Sequence, residues 1–63
     1  MNRKPTRAVE FFRGYRRRWV AAIYQDGVCV SWQTVGTMKN VKRAIKTQLE
    51  PKGIIYCINE LEG

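Results

Sequence analysis

Apolar and polar positions change rhythm twice along this chain. From Trp19 to Gln33 they fit the period of two that a half-buried strand requires. The run Trp19-Val-Ala-Ala-Ile-Tyr-Gln-Asp26-Gly27-Val-Cys-Val-Ser-Trp32 reads as two strands joined by the two-residue loop Asp26-Gly27. That dipeptide suits a type I′ turn, whose two central residues need positive φ and whose twist matches that of the strands. From Met38 to Leu49 the period lengthens. Met38, Val41, Ala44, Ile45 and Leu49 recur at three and four, which predicts an amphipathic helix with Thr37 as its N-cap. Pro51 stops it, Lys52-Gly53 turns the chain, and Ile54-Ile-Tyr-Cys-Ile58 predicts a third strand rich in β-branched residues.

A two-residue loop sets the hairpin register. Gln25 would face Val28, Tyr24 Cys29, Ile23 Val30, Ala22 Ser31, Ala21 Trp32 and Val20 Gln33. One face then carries Trp19, Ala21, Ile23, Val30 and Trp32 and becomes the core side. The other carries Val20, Ala22, Tyr24, Cys29, Ser31 and Gln33. A one-residue slip would exchange the two sets. In the last strand, Ile54, Tyr56 and Ile58 alternate with Ile55, Cys57 and Asn59, and either set could face the helix.

Residues ahead of Trp19 read differently. Residues 1–7 offer charge and no apolar anchor, so they are expected to be mobile. Thr6 could cap a short helical turn through Phe12, with Val9 and Phe12 on one side, before Gly14 breaks it. The expected fold is therefore α+β: a three-stranded sheet with one helix on one face, in the order strand, strand, helix, strand. Residues 1–18 form a basic N-terminal arm and residues 19–63 the folded domain. The last strand is expected beside Trp19–Tyr24, and the two open edges could pair across a homodimer.

Composition narrows the function. Sixty-three residues with 44% hydrophobic content make one small domain with a modest core. Net charge is +7 and the pI is about 10.0, which favours a polyanionic partner. The charge is uneven. Arg3, Lys4, Arg7, Arg13, Arg16, Arg17 and Arg18 stand against Glu10 in residues 1–18, a net +6. Lys39, Lys42, Arg43, Lys46 and Lys52 stand against Asp26, Glu50, Glu60 and Glu62 in the remainder, a net +1.

Two groups of cations are candidate contacts. Arg13, Arg16, Arg17 and Arg18 repel one another and add nothing to a core, while Tyr15 among them could stack on a base or lie under a guanidinium. Alternatively, Phe11, Phe12 and Tyr15 cover one end of the core while the arginines stay solvated. Lys39, Lys42, Arg43 and Lys46 form a helix stripe away from the apolar one. Lys39 sits in the first turn, where the helix dipole disfavours a cation, and of the four only Lys46 has an acid three or four residues away, Glu50. The stripe is either a solvated face or a surface for phosphate or acidic side chains.

Catalysis is not expected. The chain has no histidine, one serine and no paired carboxylates outside its acidic tail, so no nucleophile–base pair is available. Cys29 and Cys57 cannot alone make a usual zinc site, and no metal or cofactor is implied. With no secretory signal or membrane-length apolar run, the chain reads as cytoplasmic, with both thiols reduced and at least half-buried.

Two resemblances extend this reading. Trp19-Val-Ala-Ala-Ile-Tyr-Gln-Asp26-Gly27 resembles the first hairpin of the three-stranded, arm-binding DNA-reading domains at the N-termini of phage and transposon integrases. That family implies a sheet reading the major groove. Its third strand precedes the helix, whereas the order expected here is the reverse, so sheet readout is not carried over. The frame Trp19, Thr37-Met38, Gln48 and Pro51-Lys52-Gly53, followed by a strand, is similar to the small T7-type phage inhibitors of bacterial RNA polymerase. That family implies a strand–strand–helix–strand fold and docking on protein through basic residues of the last strand. The matching region here carries Asn59 and Glu60, so the docking site is not carried over.

The resulting expectation is a small, non-enzymatic nucleic-acid-binding accessory or regulatory protein of phage or mobile-element origin. Arg13, Tyr15, Arg16, Arg17, Arg18, Lys39, Lys42, Arg43 and Lys46 would gather into one anion-facing surface. The alternative is a phage-type inhibitor or adaptor whose same cations dock on an acidic patch of a host nucleic-acid enzyme.

Overall fold

A computed structural model describes residues 6–60. It is a small α+β domain with a four-stranded mixed sheet and one helix. Strand β1 is Arg7–Arg13, β2 is Trp19–Gln25, β3 is Val28–Gly36 and β4 is Ile55–Ile58. The sheet order is β3-β2-β1-β4. β1 pairs antiparallel with β2 and parallel with β4, and β2 pairs antiparallel with β3.

The additional strand is β1. Its side chains alternate: Val9 and Phe11 are buried, while Ala8, Glu10 and Phe12 face the other way and remain partly exposed. A helical turn through Phe12 would group Val9 with Phe12. The strand groups Val9 with Phe11 instead, and Phe11 is only 1% exposed. Residues 7–13 of the expected arm therefore lie in the middle of the sheet, and the boundary at residue 18 falls inside the domain. The expected mobility of residues 1–7 lies mostly outside the described residues. Within them, Thr6 is held: its amide donates to Asp26 Oδ1 at 2.9 Å, and the Asp26 amide donates to the Thr6 carbonyl at 2.9 Å.

The Asp26-Gly27 turn forms as expected, with φ of 53° and 83°. The register beyond it does not. Tyr24 faces Cys29, but Ile23 faces Ser31, Ala22 faces Trp32 and Ala21 faces Gln33. A bulge at Val30 adds one residue to β3, and every later side chain changes face. Trp32, expected in the core, lies on the opposite face with 73% of its surface exposed, and Val30 is exposed as well. A second bulge leaves Val35 between Thr34, which faces Val20, and Gly36, which faces Trp19. Asn40 Nδ2 donates to the Val35 carbonyl at 3.0 Å and satisfies it.

Helix α1 runs over Met38–Ala44, continues through a wider π-type turn, Ile45–Leu49, and tightens into a 3-10 turn, Glu50–Lys52. Thr37 caps it, its hydroxyl accepting from the Asn40 amide at 3.3 Å. Val41, Ile45 and Leu49 are spaced by four, and four residues overshoot one α-turn. The wider turn reduces that drift, so that Ile45 and Leu49 both reach the sheet. At the transition the Thr47 hydroxyl donates to the Arg43 carbonyl at 2.8 Å.

The core is Val9, Phe11, Trp19, Ala21, Val41, Ile45 and Leu49, with Ile23, Val35, Met38 and Ile54 packed against it. It lies entirely between α1 and one face of the sheet. The crossover carries the chain past β2 and β1, so β4 joins β1 and not β2 as expected. The register Val9 with Tyr56 and Phe11 with Ile58 puts Tyr56 and Ile58 on the helix side and Ile55 and Cys57 on the other. Both cysteines are free and exposed, where burial was expected. They stand on the two outermost strands, three strand spacings or roughly 14 Å apart, too far to bridge within one chain.

Candidate nucleic-acid interface

The arginine run occupies the connection from β1 to β2. Arg13 faces Trp19 across the ladder, and the chain reverses in the five residues between them. The Gly14 amide donates to the Arg18 carbonyl at 2.8 Å, the Arg17 amide to the Gly14 carbonyl at 3.2 Å, and the Arg18 amide to the Tyr15 carbonyl at 3.3 Å. Closing so short a loop puts Arg16 and Arg17 in the left-handed region, with φ of 60° and 59°. For a residue bearing a Cβ that conformation costs about 1–2 kcal/mol. Gly14 lies where an added Cβ would stand 2.9 Å from Val20 Cγ2, so the loop closes tightly onto β2.

This geometry sorts the side chains. The Arg13 guanidinium lies 5.4 Å from the centre of the buried Trp19 ring, on the helix side of the sheet. Arg16 lies 5.3 Å from the centre of the Tyr15 ring, and that ring is 83% exposed. Tyr15, Arg16 and Arg18 line a depression of about 230 Å³ together with Val20 and Thr34. Val20 and Thr34 are opposed in the ladder and point away from the helix. The arginine turn therefore opens onto the helix-free face.

The second group lies elsewhere. Lys39, Lys42, Arg43 and Lys46 are all exposed on the helix and its extension, and Arg43 borders the groove between helix and β3. Among the described residues, none of Arg16, Arg17, Arg18, Lys39, Lys42 and Lys46 is paired with a carboxylate. Because the helix covers one face of the sheet and the arginine depression opens on the other, the two groups do not gather into one surface. Tyr15, Arg16 and Arg18 line one depression, and the helix cations stand outside it.

What the sequence reading missed is the aromatic character of the helix-free face, although Val20, Ala22 and Tyr24 fall on that face as expected. Phe12, Val20, Ala22, Tyr24, Trp32, Thr34 and Ile55 point to it. Among the described residues its one carboxylate is Glu10, which accepts a long 3.4 Å bond from the Tyr24 hydroxyl. That carboxylate, and then partial burial, raise the Tyr24 pKa above its ordinary value near 10.0. No signal in the sequence marks that aromatic character, because Trp32 reaches this face only through the bulge.

Among the described residues no group of three histidine, cysteine or acidic side chains could hold a metal, and no helix is long and apolar enough to cross a membrane. No protein-family model, curated protein or solved structure matches this chain.

Proposed function

We propose that this chain is a small, non-enzymatic nucleic-acid-binding protein that holds phosphates through its β1–β2 turn, with an accessory or regulatory role in a phage or mobile element. The observation that carries the reading is the exposed Tyr15 ring with Arg16 against it, beside Arg18, at the mouth of an open sheet face. Three successive arginines repel one another, and two of them occupy a backbone conformation that favours glycine. Stability does not account for them, and a polyanion does.

The test is binding of labelled DNA and RNA across a salt series. Arg16, Arg17 and Arg18 changed together to alanine should weaken binding and reduce the salt slope by about 2–3, close to one per lost phosphate contact. Absence of binding at low salt, or an unchanged slope in the triple variant, would sink the reading. A partner retained from a host lysate after nuclease treatment would support docking on an acidic protein instead.

A further inference from the structure

Resting on that reading, we infer that the ligand is a single strand whose bases stack on the helix-free face, with Trp32 as the principal platform. Two observations meet there. Trp32 and Tyr15 are large flat rings that the fold leaves 73% and 83% exposed. Trp32 sits on edge strand β3, in the same strand and on the same face as Thr34, which lines the arginine depression. A strand with its phosphates at Arg16 and Arg18 would therefore meet Trp32 about two residues along β3, roughly 7 Å away, comparable to one nucleotide step.

The chemistry of the face favours stacking over groove reading. Base edges in a duplex are read by hydrogen-bonding side chains, with arginine, asparagine and glutamine foremost. Around Trp32 the face carries Ala22, Val20 and Phe12, while Glu10, opposite Ala22 further in, has its carboxylate engaged by the Tyr24 hydroxyl. Such a surface offers base faces an apolar and aromatic bed and offers base edges little. The cationic rim also decides between occupants. A net charge of +7 opposes a second copy laid face to face and attracts a polyanion.

The probes are a labelled oligothymidylate, an abasic strand of the same length and a duplex, each titrated into the whole protein at fixed salt. The intact strand should bind at least about fivefold tighter than the abasic one, the lower end of what one aromatic platform contributes. Trp32→Ala should erase that difference and leave the salt slope unchanged, while Trp32→Phe should keep most of it. Trp32 is exposed, so these variants should fold as the parent does, which circular dichroism checks. Equal binding of intact and abasic strands, or a difference that survives Trp32→Ala, would overturn the inference and leave the phosphate reading standing. A duplex weakened as much as the single strand by Trp32→Ala would overturn the choice of single strand. A dimer that keeps Trp32 shielded from quencher with the oligonucleotide present would assign the face to self-association. Failure of all three probes to bind at low salt would remove the phosphate reading as well.

Discussion

Ala22 faces Trp32 across the β2–β3 ladder, one position beyond the partner that an unbulged hairpin would supply. The small residue is 4% exposed and the large one 73%. An indole on the helix side would compete for the volume that Phe11, Trp19 and Val41 already fill. The bulge removes it from that competition and leaves it on the open face. Stability should therefore hardly depend on it. Trp32→Ala is expected to change unfolding free energy by no more than about 0.5 kcal/mol. Phe11→Ala, by contrast, should cost about 3–5 kcal/mol, enough to unfold a domain this small. Denaturant melts of the two variants compare them directly. A large loss in Trp32→Ala would mean that the ring packs in the core.

The left-handed arginines separate stability from binding. Arg16→Gly and Arg17→Gly remove the steric cost of positive φ but raise the entropy of the unfolded chain. Each variant should be neutral or more stable by up to about 1 kcal/mol. Each should also bind nucleic acid more weakly at low salt, since a phosphate contact is lost. A thermal melt and a binding isotherm on the same sample measure both. Tighter or unchanged binding in both variants would detach these side chains from the interface.

The two cation groups give a second contrast, because the sheet stands between them. Changing Lys39, Lys42 and Lys46 together to alanine should alter affinity only through the weaker overall field, an effect that salt screens away. Changing Arg16 and Arg18 to alanine should lower affinity and salt slope together. Equal losses in the two variants would restore the single gathered surface that the sequence suggested.

The features legible in the sequence are the local ones. The Asp26-Gly27 turn, the Thr37 cap and the Val41, Ile45, Leu49 stripe depend on neighbours a few residues away, and each appears as expected. β1 was hidden because Glu10 and the flanking arginines have weak strand preference, and adjacent Phe11 and Phe12 blur the alternation. The bulge was hidden for the opposite reason. Val28, Val30 and Trp32 alternate cleanly, so nothing inside β3 announces that an extra residue will be absorbed when it pairs with β2. The arginine run stands out in the sequence, but the side of the sheet onto which it opens depends on φ at Arg16 and Arg17, which composition does not reveal.

The clasp between Thr6 and Asp26 separates the two roles of a turn residue. Asp26 supplies positive φ to the β2–β3 loop, and its carboxylate also accepts from the Thr6 amide where the chain enters β1. Asp26→Asn keeps an acceptor oxygen and a residue tolerant of that φ, so it should be close to neutral. Asp26→Gly keeps the turn and loses the bond, at an expected cost of about 1 kcal/mol. Hydrogen exchange at the Thr6 amide should quicken in the glycine variant and not in the asparagine one. Equal exchange in both would show that the backbone bond from Asp26 to Thr6 suffices alone.

The Glu10–Tyr24 pair predicts a pH dependence with a definite sign. Both residues point to the helix-free face from neighbouring strands, and the carboxylate opposes formation of a phenolate beside it. The folded-state pKa of Tyr24 is therefore above 10.0, its value without that neighbour. In the window from about pH 10 up to that raised value, the unfolded chain has released the proton and the folded one still holds it. Stability contributed by the neutral phenol is thus present below about pH 10 and is lost as pH rises through the folded pKa. Glu10→Gln removes the opposing charge, so Tyr24 should titrate nearer its ordinary value and alkaline destabilisation should be shallower. Ultraviolet titration of the phenols, with Tyr24→Phe identifying the late one, reads this directly. A Tyr24 that titrates at its ordinary value in the parent, unmoved by Glu10→Gln, would contradict the contact.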